Sequence, residues 1–367
     1  MTEAVAVRNS PLHQVHTQLG AAFEARDGWL EPSAYGDVLR EYAAVRERGA
    51  GLIDLTSTGR LKVSGSEAIQ FLNGLITNDV KELAENSWMP AVFPNAQGRL
   101  IASVRVIRLP DEESPVFILD TEAATHQAIF KLVERFTLAG DFRVHDLTET
   151  TALISLQGKQ AIQIAGTVLG DGVDEVKDEG ARVVDWNGTR VVIIRATHTS
   201  EDGFDLLIES AGSKDLWNAF MKEGAWPVGF TALEMLRIEA GIPRYRVDID
   251  ETLVVSETNL DDAVSFTKGC YIGQEIIARI KYRGHVAKKL TGVTFEKATK
   301  IEPGGKVLSS DDKEAGRLTS VTYSPHLGRT VALGILKYQY LEPGTVVKIE
   351  SGEVSAVVSD LPFIKGR

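Results

Sequence analysis

The chain has one cysteine, Cys270, among 367 residues. A lone cysteine excludes a disulfide framework, a cysteine-only zinc site and an iron–sulfur cluster held by this chain alone. It fits a reducing compartment, and a cytoplasmic location is expected. No run approaches the ~18 apolar residues of a membrane-spanning helix, and the first residues carry Glu3 without a long apolar core, so neither a signal peptide nor a membrane partner is expected. Positive charge is in short supply: 40 Lys and Arg against 51 Asp and Glu give 40 − 51 = −11. With no local basic patch, direct nucleic-acid binding is not expected. G-x-S-x-G, P-loop and C-x-x-C motifs are absent, and Gly20 and Gly28 do not form a dinucleotide fingerprint. The seven histidines (His13, His16, His126, His145, His198, His285 and His326) lack metal-ligand spacing with carboxylates, so no metal is expected on this chain alone.

What is present is an ordinary globular balance, 43% hydrophobic and 25% charged. Residues 1–50 read as a helical segment packed on the core, with helical spacing at Leu12, Val15 and Leu19 and an amphipathic run from Asp37 to Arg48. A first α+β module spans 51–147 and a second 148–287. Strands are expected at Arg60–Val63, Leu100–Leu109, Val116–Asp120 and Phe204–Ile208, and helices near 66–72, 122–136 and 213–222. The modules repeat one design. Leu61-Lys62-Val63, Gly65 and Ala68-Ile69-Gln70 are matched by Ile154-Ser155-Leu156, Gly158 and Ala161-Ile162-Gln163, an offset of 158 − 65 = 93 residues. From 288 to 367, short β-type runs alternate with turns, which predicts a small antiparallel β-barrel. The fold class is therefore α+β, two related modules plus a C-terminal barrel.

Four segments could carry chemistry. In Phe266–Glu275 two glycines flank the thiol of Cys270 ahead of a helix-like run, and Lys268 lies two residues away. Positive charge there favours a thiolate, whereas a small buried residue in a tight loop is the plain structural alternative. Glu201 sits in the turn Ser200-Glu201-Asp202-Gly203, where a carboxylate can accept two parallel N–H groups from a heterocycle edge or simply be an acidic turn residue. Arg237 lies on a helix that stops at Gly241, and it is either a surface charge or a fork for an anionic group. Pro94–Arg99 is a polar turn that includes Asn95.

Lys268-Gly269-Cys270-Tyr271-Ile272-Gly273-Gln274-Glu275 resembles the K-G-C-[YF]-x-G-Q-E signature of the YgfZ-type folate-binding proteins, as do Arg237–Pro243 and Thr258-Asn259-Leu260. Leu19-Gly20-Ala21, Thr77-Asn78-Asp79-Val80, Glu201-Asp202-Gly203 and Ala315–Ser320 also resemble the wider superfamily, which includes the aminomethyltransferase T-protein of glycine cleavage. The resemblance covers about residues 13–335. It implies two modules and a barrel around one site for tetrahydrofolate or a one-carbon derivative. It also implies that Glu201 grips the pterin edge, that Arg237 sits near the folate, and that Asn78, Asp79, Asn95, Tyr271 and Gln274 contribute to binding. Cys270 with Lys268 would be the reactive pair.

One departure bears on the reaction. Where the T-protein has G-G-I-x-D-D, this chain reads Gly98-Arg99-Leu100-Ile101-Ala102-Ser103, without either aspartate. The resemblance therefore implies a YgfZ-like role supporting iron–sulfur cluster assembly or repair, and through it the tRNA-modifying cluster enzymes. Cluster-assembly proteins or client enzymes would be its partners. The alternative is a folate-dependent aminomethyltransferase or other one-carbon transferase. The oligomeric state is left open.

Overall fold

The computed structural model describes residues 7–349 and 354–366. Its architecture is a mixed α+β body carrying a closed six-stranded antiparallel barrel. In each module a strand runs into a glycine with positive φ and then into a helix. Gly59–Ser64 leads through Gly65 (φ 118°) to Ala68–Leu75, and Thr151–Gln157 leads through Gly158 (φ 132°) to Ala161–Leu169. These φ values belong to glycine. A Cβ on Gly158 would also meet the Gly49 carbonyl at 2.7 Å. The repeat visible at an offset of 93 residues is thus one backbone device used twice.

The first module's sheet has the order Ser87–Pro94, Leu100–Leu109, Val116–Thr121, Gly59–Ser64, Arg143–Asp146. The second runs Ala181–Trp186, Thr189–Arg195, Gly203–Glu209, Thr151–Gln157, Gly51–Asp54, Trp226–Pro227. The sheets do not follow the expected cut at residue 51, because Gly51–Asp54 pairs with Thr151–Gln157 and so belongs to the second sheet. Between the sheets lies a shared apolar layer that includes Ile107, Ile118, Val192, Ile194 and Leu207. Each sheet's other face is covered by its own helices and buries its own core, around Phe117 in one and Trp217 in the other.

The N-terminal segment departs from the helical expectation. It contains the short helices His13–Gln18 and Val38–Ala43, but Ala22–Arg26 and Trp29–Ala34 form an antiparallel hairpin. Asp27 (φ 47°) and Gly28 (φ 82°) form its turn. An Asp-Gly pair is among the strongest hairpin signals, because the turn that matches strand twist needs positive φ at both positions. The barrel begins at Lys288 and closes when Lys288–Thr294 pairs with both Arg329–Lys337 and Val354–Ser359. Helix Phe230–Glu239 packs against the barrel strand Glu314–Ser324 on one side and against the first 50 residues on the other.

Candidate functional site

At one end of the layer between the sheets is a cavity of about 380 Å³, within the ~300–1,000 Å³ range of small-molecule sites. Three parts of the chain supply much of its wall. The first sheet supplies Trp88, Ser103, Arg105 and Asp120; the loop after strand Thr189–Arg195 of the second supplies Ala196, Thr197 and His198; helix Phe230–Glu239 supplies Phe230, Leu233, Glu234 and Arg237. A 300 Å³ recess containing Glu201, Asp202 and Arg195 adjoins it through the shared residues Trp88, Ala196 and Thr197. Among the described residues, none of the barrel lines either space.

Strand Leu100–Leu109 decides what the cavity sees. Its side chains alternate between faces. Ala102 points into the first module's core with no exposed surface, while Ser103 and Arg105 face the cavity. Of the two positions where aspartates were missed, only Ser103 concerns the site. Arg105 is buried between two carboxylates, with Nη2 on Asp120 at 2.5 Å and Nη1 on Asp205 at 2.6 Å. Burial opposes the charge on Arg105, but Asp205 and Asp120 more than offset it and hold the guanidinium protonated. Burial likewise opposes ionisation of Asp205, yet His198 and Arg105 keep its carboxyl well below the usual range.

Glu122 is the cavity's unusual carboxyl. Burial pushes it up to about 7, partly opposed by the Tyr245 N–H, which donates to both oxygens at 3.0–3.1 Å. Folded protein holds this proton while the unfolded chain releases it near 4.5, so the stability it confers at low pH is lost as pH rises from 4.5 through about 7. E122Q is therefore expected to exceed wild type in stability at pH 8 by up to about 3 kcal/mol. The gain should vanish below pH 4.5. Urea unfolding across this range checks it, and a pH-independent difference would contradict the burial of Glu122.

The expected site residues are placed as follows. Glu201 is held by Arg46, whose Nη1 donates to Oε1 at 2.9 Å, and Oε2 has no protein partner among the described residues. Arg46 also reaches Glu239 at 2.7 Å, and Glu239 accepts from the Tyr42 and Ser324 hydroxyls at 2.8 and 2.5 Å. Arg237 lines the cavity but is engaged by Asp248, by Glu234 at 2.8 Å and by Ser320 at 2.7 Å. It therefore straps its helix to the barrel.

The remaining expected residues lie off the cavity. Lys268 donates to the carbonyls of Asn73, Ile76 and Asn78 at 2.9, 2.9 and 2.6 Å. Burial pulls its ammonium down to about 8, and the carbonyls satisfy the charge that remains. It anchors the 73–78 segment, so its ammonium is committed to these carbonyls and not to the thiol. Cys270 is exposed and lines none of these spaces. Asn78 donates to the carbonyls of Pro90 and Asp262, Asp79 accepts from Asn73 and Lys81, and Asn95 accepts the N–H groups of Gln97 and Arg99 within its own turn. Tyr271 is buried in the core beside the barrel, and Gln274 begins helix Gln274–Arg283.

Sequence reasoning missed Arg105, Asp120, Glu122, His198 and Asp205. A signal existed for Arg105: Ser103 and Arg105 are two apart, a polar stripe on one face of an apolar strand. Among the described residues no group of three or more His, Cys, Asp or Glu could hold a metal ion, and no helix is long and apolar enough to cross a membrane.

Comparison with known proteins agrees with this architecture. The GCVT N-terminal domain model matches residues 12–268, and the glycine cleavage T-protein C-terminal barrel domain model matches 288–365. The chain is 29% identical to an aminomethyltransferase of Thermotoga maritima over 98% of both chains. It is 30% identical to a probable aminomethyltransferase of Natronomonas pharaonis, over 98% of this chain and 99% of that one. The crystal structure of glycine cleavage system aminomethyltransferase T from Bartonella henselae superposes with a TM-score of 0.91 at 24% identity, covering 98% of this chain and 99% of that one, which shows a shared fold. With a domain model matched over more than half its length and relatives aligned nearly end to end, the chain belongs to the glycine cleavage T-protein family.

Proposed function

We propose that this protein is a folate-dependent one-carbon transferase of the aminomethyltransferase type, with its substrates in the cavity between the two modules. The observation that carries the reading is the cavity itself. It has apolar walls at Trp88 and Leu233, a carboxylate with one open oxygen at Glu201 in the adjoining recess, and the partly exposed cation Arg244 in its lining. A reduced pterin presents adjacent N–H groups to a carboxylate and a flat ring to an aromatic wall, and its acidic tail suits arginines. These residues fit that ligand. Bound tetrahydrofolate would supply a nitrogen that accepts the one-carbon unit. Arg46 holds Glu201 in place, and the shared apolar layer keeps bulk water from the inner wall.

Curated relatives matching 98% of the chain are named aminomethyltransferase, and this supports the transferase over the iron–sulfur reading expected from the Lys268–Glu275 motif. The second reading retains one supporting observation, the solvent-exposed thiol of Cys270. A thiol there could meet a partner protein in the cytoplasm without involving the cavity. E201Q is expected to weaken tetrahydrofolate binding by about tenfold or more, the worth of a charge-assisted hydrogen bond, measured by calorimetry. Ammonia release from an aminomethylated carrier protein in the presence of tetrahydrofolate tests the reaction. Absence of turnover together with loss of cluster-enzyme activity in cells carrying C270A would favour the second reading.

A further inference from the structure

Three histidines each meet one aspartate: His16 with Asp54, His126 with Asp146 and His198 with Asp205, all at 2.9 Å. Two are buried parts of the framework, their side chains 0% and 4% exposed, and His16 Nδ1 is also taken by the Tyr35 hydroxyl at 2.8 Å. His198 differs. Its side chain is 30% exposed and lines the cavity, and Nδ1 has no protein partner among the described residues.

Its surroundings fix how it can work. Asp205 has no exposed surface and is held ionised by His198 and Arg105, so it only accepts hydrogen bonds. Nε2 therefore carries a hydrogen facing Asp205, and Nδ1 is the ring nitrogen left facing the cavity. The other charged groups facing the cavity are engaged. Asp120 pairs with Arg105, Glu234 pairs with Arg237 and Arg244, and both oxygens of Glu122 accept the Tyr245 N–H. Position agrees as well. Asp205 Oδ2 is shared by His198 and Arg105, and Arg105 is the next residue on the cavity face after Ser103. Ser103 is one of the places where the T-protein pattern has an aspartate and this chain has none.

We propose that His198 is the proton-transfer residue of this cavity, with Asp205 as its positioning residue, in place of the carboxylate missing at Ser103. The inference rests on the one-carbon transfer reading above. His198 Nδ1 takes the proton from a substrate N–H while that nitrogen forms its bond to the incoming carbon and the donor's leaving group departs with the electron pair of the broken bond. The resulting imidazolium, stabilised by Asp205, returns the proton to the leaving group. One N–H and one carbon–leaving-group bond are exchanged for one N–C bond and one proton on the leaving group. Nothing is oxidised or reduced.

The test uses the full chain, tetrahydrofolate as the binding probe and an aminomethylated carrier protein as donor. H198Q is expected to bind tetrahydrofolate within about threefold of wild type, while kcat falls on the order of 10²–10³-fold, the scale of a lost general base. Free imidazole should restore part of the activity of H198A. Independently of turnover, the ¹⁵N resonance of His198 Nδ1 should move when tetrahydrofolate is added to the wild type, and D205N should change the ring tautomer without abolishing binding. If H198Q does not fold, D205N carries the test, with a kcat loss and unchanged affinity expected. Wild type that fails to bind tetrahydrofolate would overturn the transferase reading and this inference with it. Wild type that binds and turns over, with H198Q equally fast or an unmoved Nδ1 resonance, would overturn the His198 assignment alone.

Discussion

Replacing Arg46 with methionine is expected to lower the unfolding free energy by about 3–5 kcal/mol, the scale for stranding a buried charge. Arg46 is 1% exposed and lies between Glu239, with no exposed surface, and Glu201, which is 13% exposed. Without the guanidinium, Glu239 remains buried with the hydroxyls of Tyr42 and Ser324 as its side-chain donors among the described residues. Four parts of the chain meet here: the N-terminal segment at Arg46, the second module at Glu201, helix Phe230–Glu239 and the barrel at Ser324. The loss should therefore appear in a global thermal or urea transition and not in a local one. The double variant R46M/E239Q removes both charges while keeping an acceptor for the two hydroxyls. It should regain at least about 1–2 kcal/mol over R46M. An unchanged midpoint in R46M would mean that the ion pairs hold nothing together.

Arg237 leads to a second large effect. Sequence reasoning placed it near the folate as a binding residue. In the structure its fork is already engaged by Glu234, Asp248 and Ser320. Asp248 is 1% exposed and also accepts from the Thr319 and Ser320 hydroxyls at 2.5 and 2.7 Å. R237M leaves this carboxylate without its cation and should cost about 3–5 kcal/mol. It should also loosen the barrel from the α+β body, since Thr319 and Ser320 belong to the barrel. Hydrogen exchange in the strand Glu314–Ser324 and in helix Phe230–Glu239 should rise together. If R237M weakens ligand binding but leaves stability and exchange unchanged, Arg237 is a binding residue first and the strap assigned to it is wrong.

Much of the framework could be read from residues because local chemistry and tertiary context agree there. Leu100–Leu109 is apolar, long and flanked by turns, and it forms a strand over those residues. The glycines at 65 and 158 recur because each provides a backbone angle denied to other residues. The hairpin around Asp27-Gly28 escapes the sequence reading because Leu12, Val15 and Leu19 set a helical period just before it. The site was harder to read. Ala102 and Ser103 look equivalent in sequence, and only the pleat of the strand separates a core position from a cavity position. Lys268 reads as a charge beside a thiol, but its long side chain reaches three carbonyls nearly 200 residues away in sequence. The His198–Asp205–Arg105 set joins two sheets and has no local signature.

The central claim is that the cavity between the modules is where the folate binds. Tetrahydrofolate titrated calorimetrically into wild type and into S103F tests it most directly. Ser103 is on the cavity wall and its side chain joins no hydrogen bond among the described residues, so a phenyl group there fills space without removing a charge. Saturable binding to wild type and none to an equally folded S103F is the predicted result. Equal affinity in the two proteins, or no binding to either, would contradict it.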